Sequence, residues 1–211
     1  NPTVLDIYSF FWNFLILSIN SVNSGIIFLV FLVSEDLFCI EFFWSIKSIG
    51  LSLVDNFIDF NEKSISEIKS LFNINLEIKR VALLIFHPHS EELDQVGEIF
   101  ENILSNLIKR NFLIFASHPN TDYGNSKLLE IIDRYNKIKN VVFYKNLDRD
   151  IFLSIYKNSQ LIIGNSSSGI CEAATFGIPA INIGHRQTGR FAGNNVVFSK
   201  SDYQSISDSI D

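Results

Sequence analysis

The 211-residue sequence is long enough for one full domain core plus an appendage too short to be a second comparable domain. A formal net charge of −6 and an isoelectric point near 5.2 argue against a protein that grips nucleic acid through a basic face, so an anionic ligand would have to be held locally. Cys39 and Cys171 lie far apart with no CxxC or His-spaced partner, which argues against a zinc site or disulfide framework and fits a reducing, cytosolic compartment.

The sequence opens at Asn1 and contains no methionine, so a start further upstream, and hence a fragment, is expected. Residues 1–49 are an atypical apolar segment. No charge occurs between Asp6 and Glu35, and Phe10 to Ile19 and Ile26 to Val33 are almost wholly apolar. Length alone makes this a membrane candidate, but Asn20-Ser21-Val22-Asn23-Ser24-Gly25 splits it into two pieces, each too short to span. A signal peptide is not supported, because no basic region precedes the apolar run and no small-residue cleavage site follows it cleanly. A buried pair of elements and translation of a wrong reading frame are the other readings.

From Gly50 onward the pattern changes. Lys63 to Phe72 carries Ile65, Ile68, Leu71 and Phe72 at helical spacing, with Glu67 and Lys69 directed outward. Arg80 to Phe86 is a continuous apolar run of strand length, the pattern of a strand covered on both faces. The cycle then repeats: helix Glu91 to Lys109, strand Phe112 to Ala116, helix Asn125 to Lys137, strand Val141 to Tyr144. Helix Arg149 to Tyr156, strand Leu161 to Ile163, helix Gly169 to Thr175 and strand Pro179 to Ile183 complete it. Such alternation implies an α/β fold, a Rossmann-like parallel sheet with helices on both faces and ligands at the carboxyl ends of its strands.

The most informative stretch is Ile162-Ile163-Gly164-Asn165-Ser166-Ser167-Ser168-Gly169-Ile170, followed by Cys171-Glu172. A strand enters a small-residue loop that opens a helix, where unpaired N–H groups and hydroxyls suit a phosphate. Ser166 and Ser167 either touch that phosphate or merely cap the helix. Glu172, one turn on, either reaches ribose hydroxyls or faces solvent. His87, after a buried strand, is a phosphate-positioning or acid–base group or an ordinary loop histidine. Pro119-Asn120-Thr121-Asp122 is equally a contact loop or a turn. Arg186 and Arg190, in a Gly-rich stretch expected to be mobile, either close over a diphosphate or are surface charge.

Gly164 to Ile170 with Glu172, Gly177-Ile178-Pro179, Asn182-Ile183-Gly184, Arg186-Gln187-Thr188-Gly189-Arg190 and Gly193-Asn194-Asn195-Val196 together resemble the UDP-binding segment of the hydrolysing UDP-N-acetylglucosamine 2-epimerases. The resemblance implies that Ser166 and Ser167 bind the diphosphate, Glu172 the ribose, and that Arg186 lies at the nucleotide. His87 is implied as the catalytic contribution, with Asn120 and Leu147 also contacting UDP. It also implies one half of a GT-B-like two-domain enzyme with no cofactor or metal, converting UDP-N-acetylglucosamine and water to N-acetylmannosamine and UDP on the way to sialic acid. A cytoplasmic homo-oligomer is implied for the intact enzyme.

The resemblance begins abruptly near Gly50, which favours the misread frame for residues 1–49 and a UDP-binding domain over 50–211. In Gly50-Leu51-Ser52-Leu53-Val54-Asp55-Asn56, Leu51 and Leu53 depart from the family's interdomain segment. The family's acidic catalytic residues belong to its N-terminal domain, so the chain alone is expected to be inactive. Two rivals are the donor-binding domain of a GT-B glycosyltransferase and a membrane-attached nucleotide-binding module.

Overall fold

Strand β1 (Val81–Ile85) is buried at all five positions, as its unbroken apolar run requires. The computed structural model of the chain describes Phe57 and residues 59–211. The expectations for residues 1–49 and for Gly50 to Asn56 lie outside the described residues. In chain order the elements are α1 (Ile65–Leu71), β1, α2 (Val96–Lys109), β2 (Leu113–Ser117), α3 (Asn125–Tyr135) and β3 (Val141–Tyr144). They continue as α4 (Arg149–Asn158), β4 (Leu161–Gly164), α5 (Ser167–Cys171), β5 (Ala180–Ile183), β6 (Val196–Ser199) and α6 (Tyr203–Ile210). The six strands form one sheet in the order β3-β2-β1-β4-β5-β6, and every neighbouring pair is parallel. That is the strand order of a Rossmann sheet.

Alternate residues of a strand point to opposite faces, and here both faces carry a core. Ala82, Leu84, Ile114, Ala116, Ile163, Ile181 and Ile183 pack with Ile99, Ile103 and Leu107 of α2, Leu128 and Ile132 of α3, and Ile206 of α6. Val81, Leu83, Ile85, Leu113, Phe115, Ile162 and Ala180 pack on the other side with Ile68 of α1 and Leu153, Ile155 and Tyr156 of α4. Phe57 closes that second core edge-on against Tyr156.

Several elements depart from the sequence expectation. Lys69 turns inward: its ammonium donates to the carbonyls of Leu76 and Ile78, at 3.1 and 2.7 Å. The segment after α1 has no ladder of its own, so its carbonyls draw a side-chain donor, and Leu71 is left exposed. The helix expected from Glu91 starts only at Val96; a short 3-10 turn, Ser90–Glu92, precedes it. Glu92 is buried there and accepts from the Ser201 hydroxyl at 2.7 Å, which holds the turn away from a regular helix. The helix expected at Gly169 to Thr175 is α5, starting earlier, followed by a 3-10 turn, Ala173–Phe176, that ends at Gly177 with φ 66°.

β6 and α6 were absent from the pattern read along the sequence. α6 docks on α2 through polar groups: Arg110 forks onto Asp211 at 2.9 and 2.6 Å and donates to Ser207, while the buried Asn106 amide donates to the Tyr203 carbonyl. Among the described residues no helix is long and apolar enough to cross a membrane.

Candidate functional site

β1 and β4 are neighbours, yet the chain leaves β1 toward β2 and leaves β4 toward β5, on opposite sides. The loops after them diverge and open a crevice at the carboxyl end of the sheet. Gly164 ends β4 with φ 135°, and a Cβ there would lie 2.0 Å from the Ile85 carbonyl oxygen. Only glycine lets the two strands approach this closely at the mouth of the crevice.

The next residue, Asn165, is wholly buried. Its Oδ1 accepts from the His87 N–H at 2.8 Å and its Nδ2 donates to the His87 carbonyl at 2.7 Å. Its own carbonyl accepts from Arg186 Nη1 and from Gln187 Nε2, each at 2.9 Å. The Gly-rich stretch that includes Arg186 and Arg190 is therefore tied down at its start, where sequence alone suggested mobility; Gln187 is itself buried.

His87 is half-buried, and its Nδ1 accepts from the Asn120 N–H at 3.4 Å. Burial first, and then the Arg186 guanidinium, hold the imidazole below its usual pKa of 6.5, against a smaller opposite pull from Asp122. The ring is thus neutral near pH 7, with its proton on Nε2, because Nδ1 serves as the acceptor. It stands as a hydrogen-bond donor beside the crevice.

Ser166 is the N-cap of α5: its hydroxyl accepts from the Ser168 N–H at 3.3 Å. The Ser168 hydroxyl donates to the Glu172 carboxylate at 2.5 Å, and the Tyr156 hydroxyl donates to the Ser168 carbonyl at 3.0 Å. Glu172 is thereby fixed one turn beyond the loop. On the other rim Asn120 is exposed, and its amide donates to Asp122, whose own N–H returns a bond to Asn120 Oδ1 at 3.3 Å. That loop is an Asx turn, and it borders the crevice.

His87, Asn120, Ser166, Ser168 and Glu172 line one groove of about 530 Å³, together with Leu147 and Phe152. Of the residues singled out in the sequence, it gathers His87, Asn120, Leu147, Ser166 and Glu172. Ser167 and Arg186 do not line it; Arg186 lies behind, on the Asn165 carbonyl.

Sequence reasoning passed over Asn165, Ser168 and His118. Ser117-His118-Pro119 after β2 repeats Phe86-His87-Pro88 after β1, a signal that would have found the second histidine. His118 lines the groove, its N–H donates to the Tyr144 carbonyl at 2.7 Å, and its buried Nδ1 has no hydrogen-bond partner among the described residues. Burial and then Lys145 lower its pKa, with Asp133 opposing. An asparagine in a small-residue loop carries no comparable mark, since its burial is a property of the fold.

Residues 41–211 match the family described as UDP-N-acetylglucosamine 2-epimerase. Over 128 residues the chain is 35% identical to the UDP-N,N'-diacetylbacillosamine 2-epimerase (hydrolyzing) of Legionella pneumophila, covering 61% of this chain and 34% of that protein. Over 162 residues it is 31% identical to the GDP/UDP-N,N'-diacetylbacillosamine 2-epimerase (hydrolyzing) of Campylobacter jejuni, covering 74% and 41%. Against the UDP-N-acetylglucosamine 2-epimerase of Neisseria meningitidis it is 27% identical, covering 70% and 38%. The chain thus spans well under half the length of these relatives.

Among solved structures, an Anabaena protein in complex with UDP and glucose shares the fold at TM-score 0.51 and 15% identity, over 76% of this chain and 44% of that one. The UDP-GlcNAc 2-epimerase of Methanocaldococcus jannaschii in complex with UDP-GlcNAc and UDP does so at 0.50 and 16%, over 68% and 40%. With the family matched across four fifths of the sequence, the chain belongs to the UDP-N-acetylglucosamine 2-epimerase family.

Proposed function

We propose that residues 50–211 are the UDP-binding domain of a hydrolysing UDP-sugar 2-epimerase. The observation that carries this reading is the convergence, in one groove at the β1/β4 divergence, of neutral His87, the Ser166-capped loop and the Glu172 carboxylate held by Ser168. A nucleoside diphosphate matches that order of groups. Its phosphates meet the N–H and hydroxyl donors of residues 166–168 and the His87 ring. Its ribose hydroxyls donate to Glu172, and its base lies toward Asn120, Leu147 and Phe152.

The reaction proposed for the whole enzyme takes UDP-N-acetylglucosamine and water to N-acetylmannosamine and UDP. A base removes the C2 proton as the C1–O bond breaks and UDP leaves; water then adds across the resulting double bond, hydroxyl to C1 and hydrogen to C2 from the opposite face. In this scheme His87 donates a hydrogen bond to the departing diphosphate, where charge develops. Groups that handle the C2 proton are assigned to the part of the relatives that this chain does not span. The substrate for which the Legionella and Campylobacter relatives are named favours a second reading, with a diacetylated bacillosamine as the sugar. The nucleotide half of the site is the same in both.

Calorimetric titration of the 211-residue chain with UDP tests the proposal. Saturable binding is expected, with ADP at least tenfold weaker and Glu172→Ala weakening UDP by roughly tenfold, the loss of a charged hydrogen-bond acceptor. Absence of saturable heat at millimolar UDP would overturn it. Incubation with UDP-N-acetylglucosamine is expected to release no N-acetylmannosamine above background.

A further inference from the structure

Asn165 does its work without facing the groove. Its backbone N–H still belongs to the sheet, bonded to the Ile85 carbonyl at 3.1 Å. Two residues on, at His87 beyond the end of β1, the Asn165 side chain takes over. One planar amide gives an acceptor to the His87 N–H and a donor to the His87 carbonyl, the pair of bonds a neighbouring strand would have made. The side chain thus prolongs the parallel ladder past the end of β4 and ties down both backbone polar groups of His87. The Asn165 carbonyl meanwhile receives both Arg186 and Gln187, filling its two lone pairs and fastening the loop after β5 to the same point.

We propose that Asn165 is a positioning residue: its amide fixes the His87 backbone so that the imidazole meets the diphosphate, and its carbonyl holds the Arg186 loop in register with it. The proposal rests on the reading of the groove as a UDP site. Asn165 touches no ligand in this arrangement; it acts through His87. The charged groups that bear on His87 are Arg186 from the loop after β5 and Asp122 from the loop after β2.

Leucine keeps the branching of the asparagine side chain and forms neither bond, while the backbone carbonyl that holds Arg186 is untouched. The experiment is a double-mutant cycle on the full 211-residue chain with Asn165→Leu, His87→Gln and the pair, reading UDP affinity by calorimetry and the His87 ring titration by NMR. Asn165→Leu is expected to weaken UDP at least tenfold in the wild-type background and less than twofold in the His87→Gln background. It is also expected to move the His87 midpoint up toward the ordinary histidine value as the freed loop gains solvent. A residue of merely structural importance would lower Tm while weakening UDP equally in both backgrounds, and that result overturns the proposal; so does an unmoved His87 midpoint.

If the wild-type chain binds no UDP, the reading of the groove fails, yet the His87 midpoint still decides whether Asn165 positions the ring. Should Asn165→Leu fail to fold, Asn165→Ser, which leaves room for a bridging water, is read by the same two measurements.

Discussion

His87 enters the native state neutral because its surroundings resist a second positive charge: it is half-buried, and the Arg186 guanidinium adds to the penalty. A diphosphate bound as proposed would reverse that balance, since the anion favours the imidazolium. Ligand binding and protonation of His87 are therefore linked. Affinity rises as pH falls through the raised pKa of the complex and levels off below the depressed pKa of the free protein. UDP itself gains a proton near pH 6, which works in the opposite direction. Titrations near pH 6.5 in two buffers of different ionisation enthalpy separate the two effects. The wild-type chain is expected to take up more protons per UDP than His87→Gln, by a substantial fraction of one. Equal uptake by the two proteins would remove His87 from the diphosphate. The identity of this residue was legible in the sequence, as a histidine directly after a buried strand. Its state was not, because burial and the approach of Arg186 arise from residues 99 positions apart in the chain, brought together by Asn165.

At the level of elements, α5 sets two roles for Ser166 against each other. The hydroxyl caps the helix by accepting from Ser168, and the same residue lines the groove. Aspartate is as good an N-cap as serine, so Ser166→Asp keeps the cap while placing a carboxylate where the diphosphate is proposed to lie. Its stability in urea is expected to stay within about 0.5 kcal/mol of wild type, whereas Ser166→Ala loses about 1 kcal/mol with the cap. UDP affinity of Ser166→Asp is expected to fall more than tenfold. If it binds UDP like the wild type, Ser166 is a cap alone. The elements that sequence pattern revealed are those with a strong period: β1 is apolar throughout, and α2 buries Val96, Ile99, Phe100, Ile103, Leu104 and Leu107 at helical spacing. β6 and α6 lack that signal. In β6 only Ser199 is buried while Val197 and Phe198 are half-exposed, and α6 buries Ile206 alone among serines and aspartates. Both depend on long-range partners that no local window contains: β6 on its pairing with β5, and α6 on Arg110, which bonds Ser207 and Asp211.

Across the whole molecule, alternation of strands and helices announced a parallel sheet, but the order β3-β2-β1-β4-β5-β6 exists only in the pairing. That order matters for stability as well as for the site. It brings the loops after β1 and β2 together at the carboxyl edge, so His87 and His118 line one groove and both have lowered pKa values. Well above pH 6.5 each is neutral folded and unfolded, and contributes no pH dependence. As pH falls below 6.5 the unfolded chain takes up protons that the folded chain resists, so stability drops until the folded pKa values are passed and then levels off. The carboxylates with lowered pKa values, Glu67, Asp202 and Asp211, are surface groups bonded to Ser64, Ser205 and Arg110. Their stabilisation is present above their unfolded values and fades only in more acid solution, below about pH 4. Urea midpoints measured from pH 8 to pH 3 are therefore expected to fall in two stages, the first starting near 6.5 and the second near 4. UDP at a hundredfold excess over its Kd adds about 2.7 kcal/mol at neutral pH. Because it favours protonated His87, it is also expected to flatten the first stage while leaving the second in place. A single acid transition, unchanged in His87→Gln and in His118→Gln, would mean that the two rings are as open to water in the native state as in the unfolded chain.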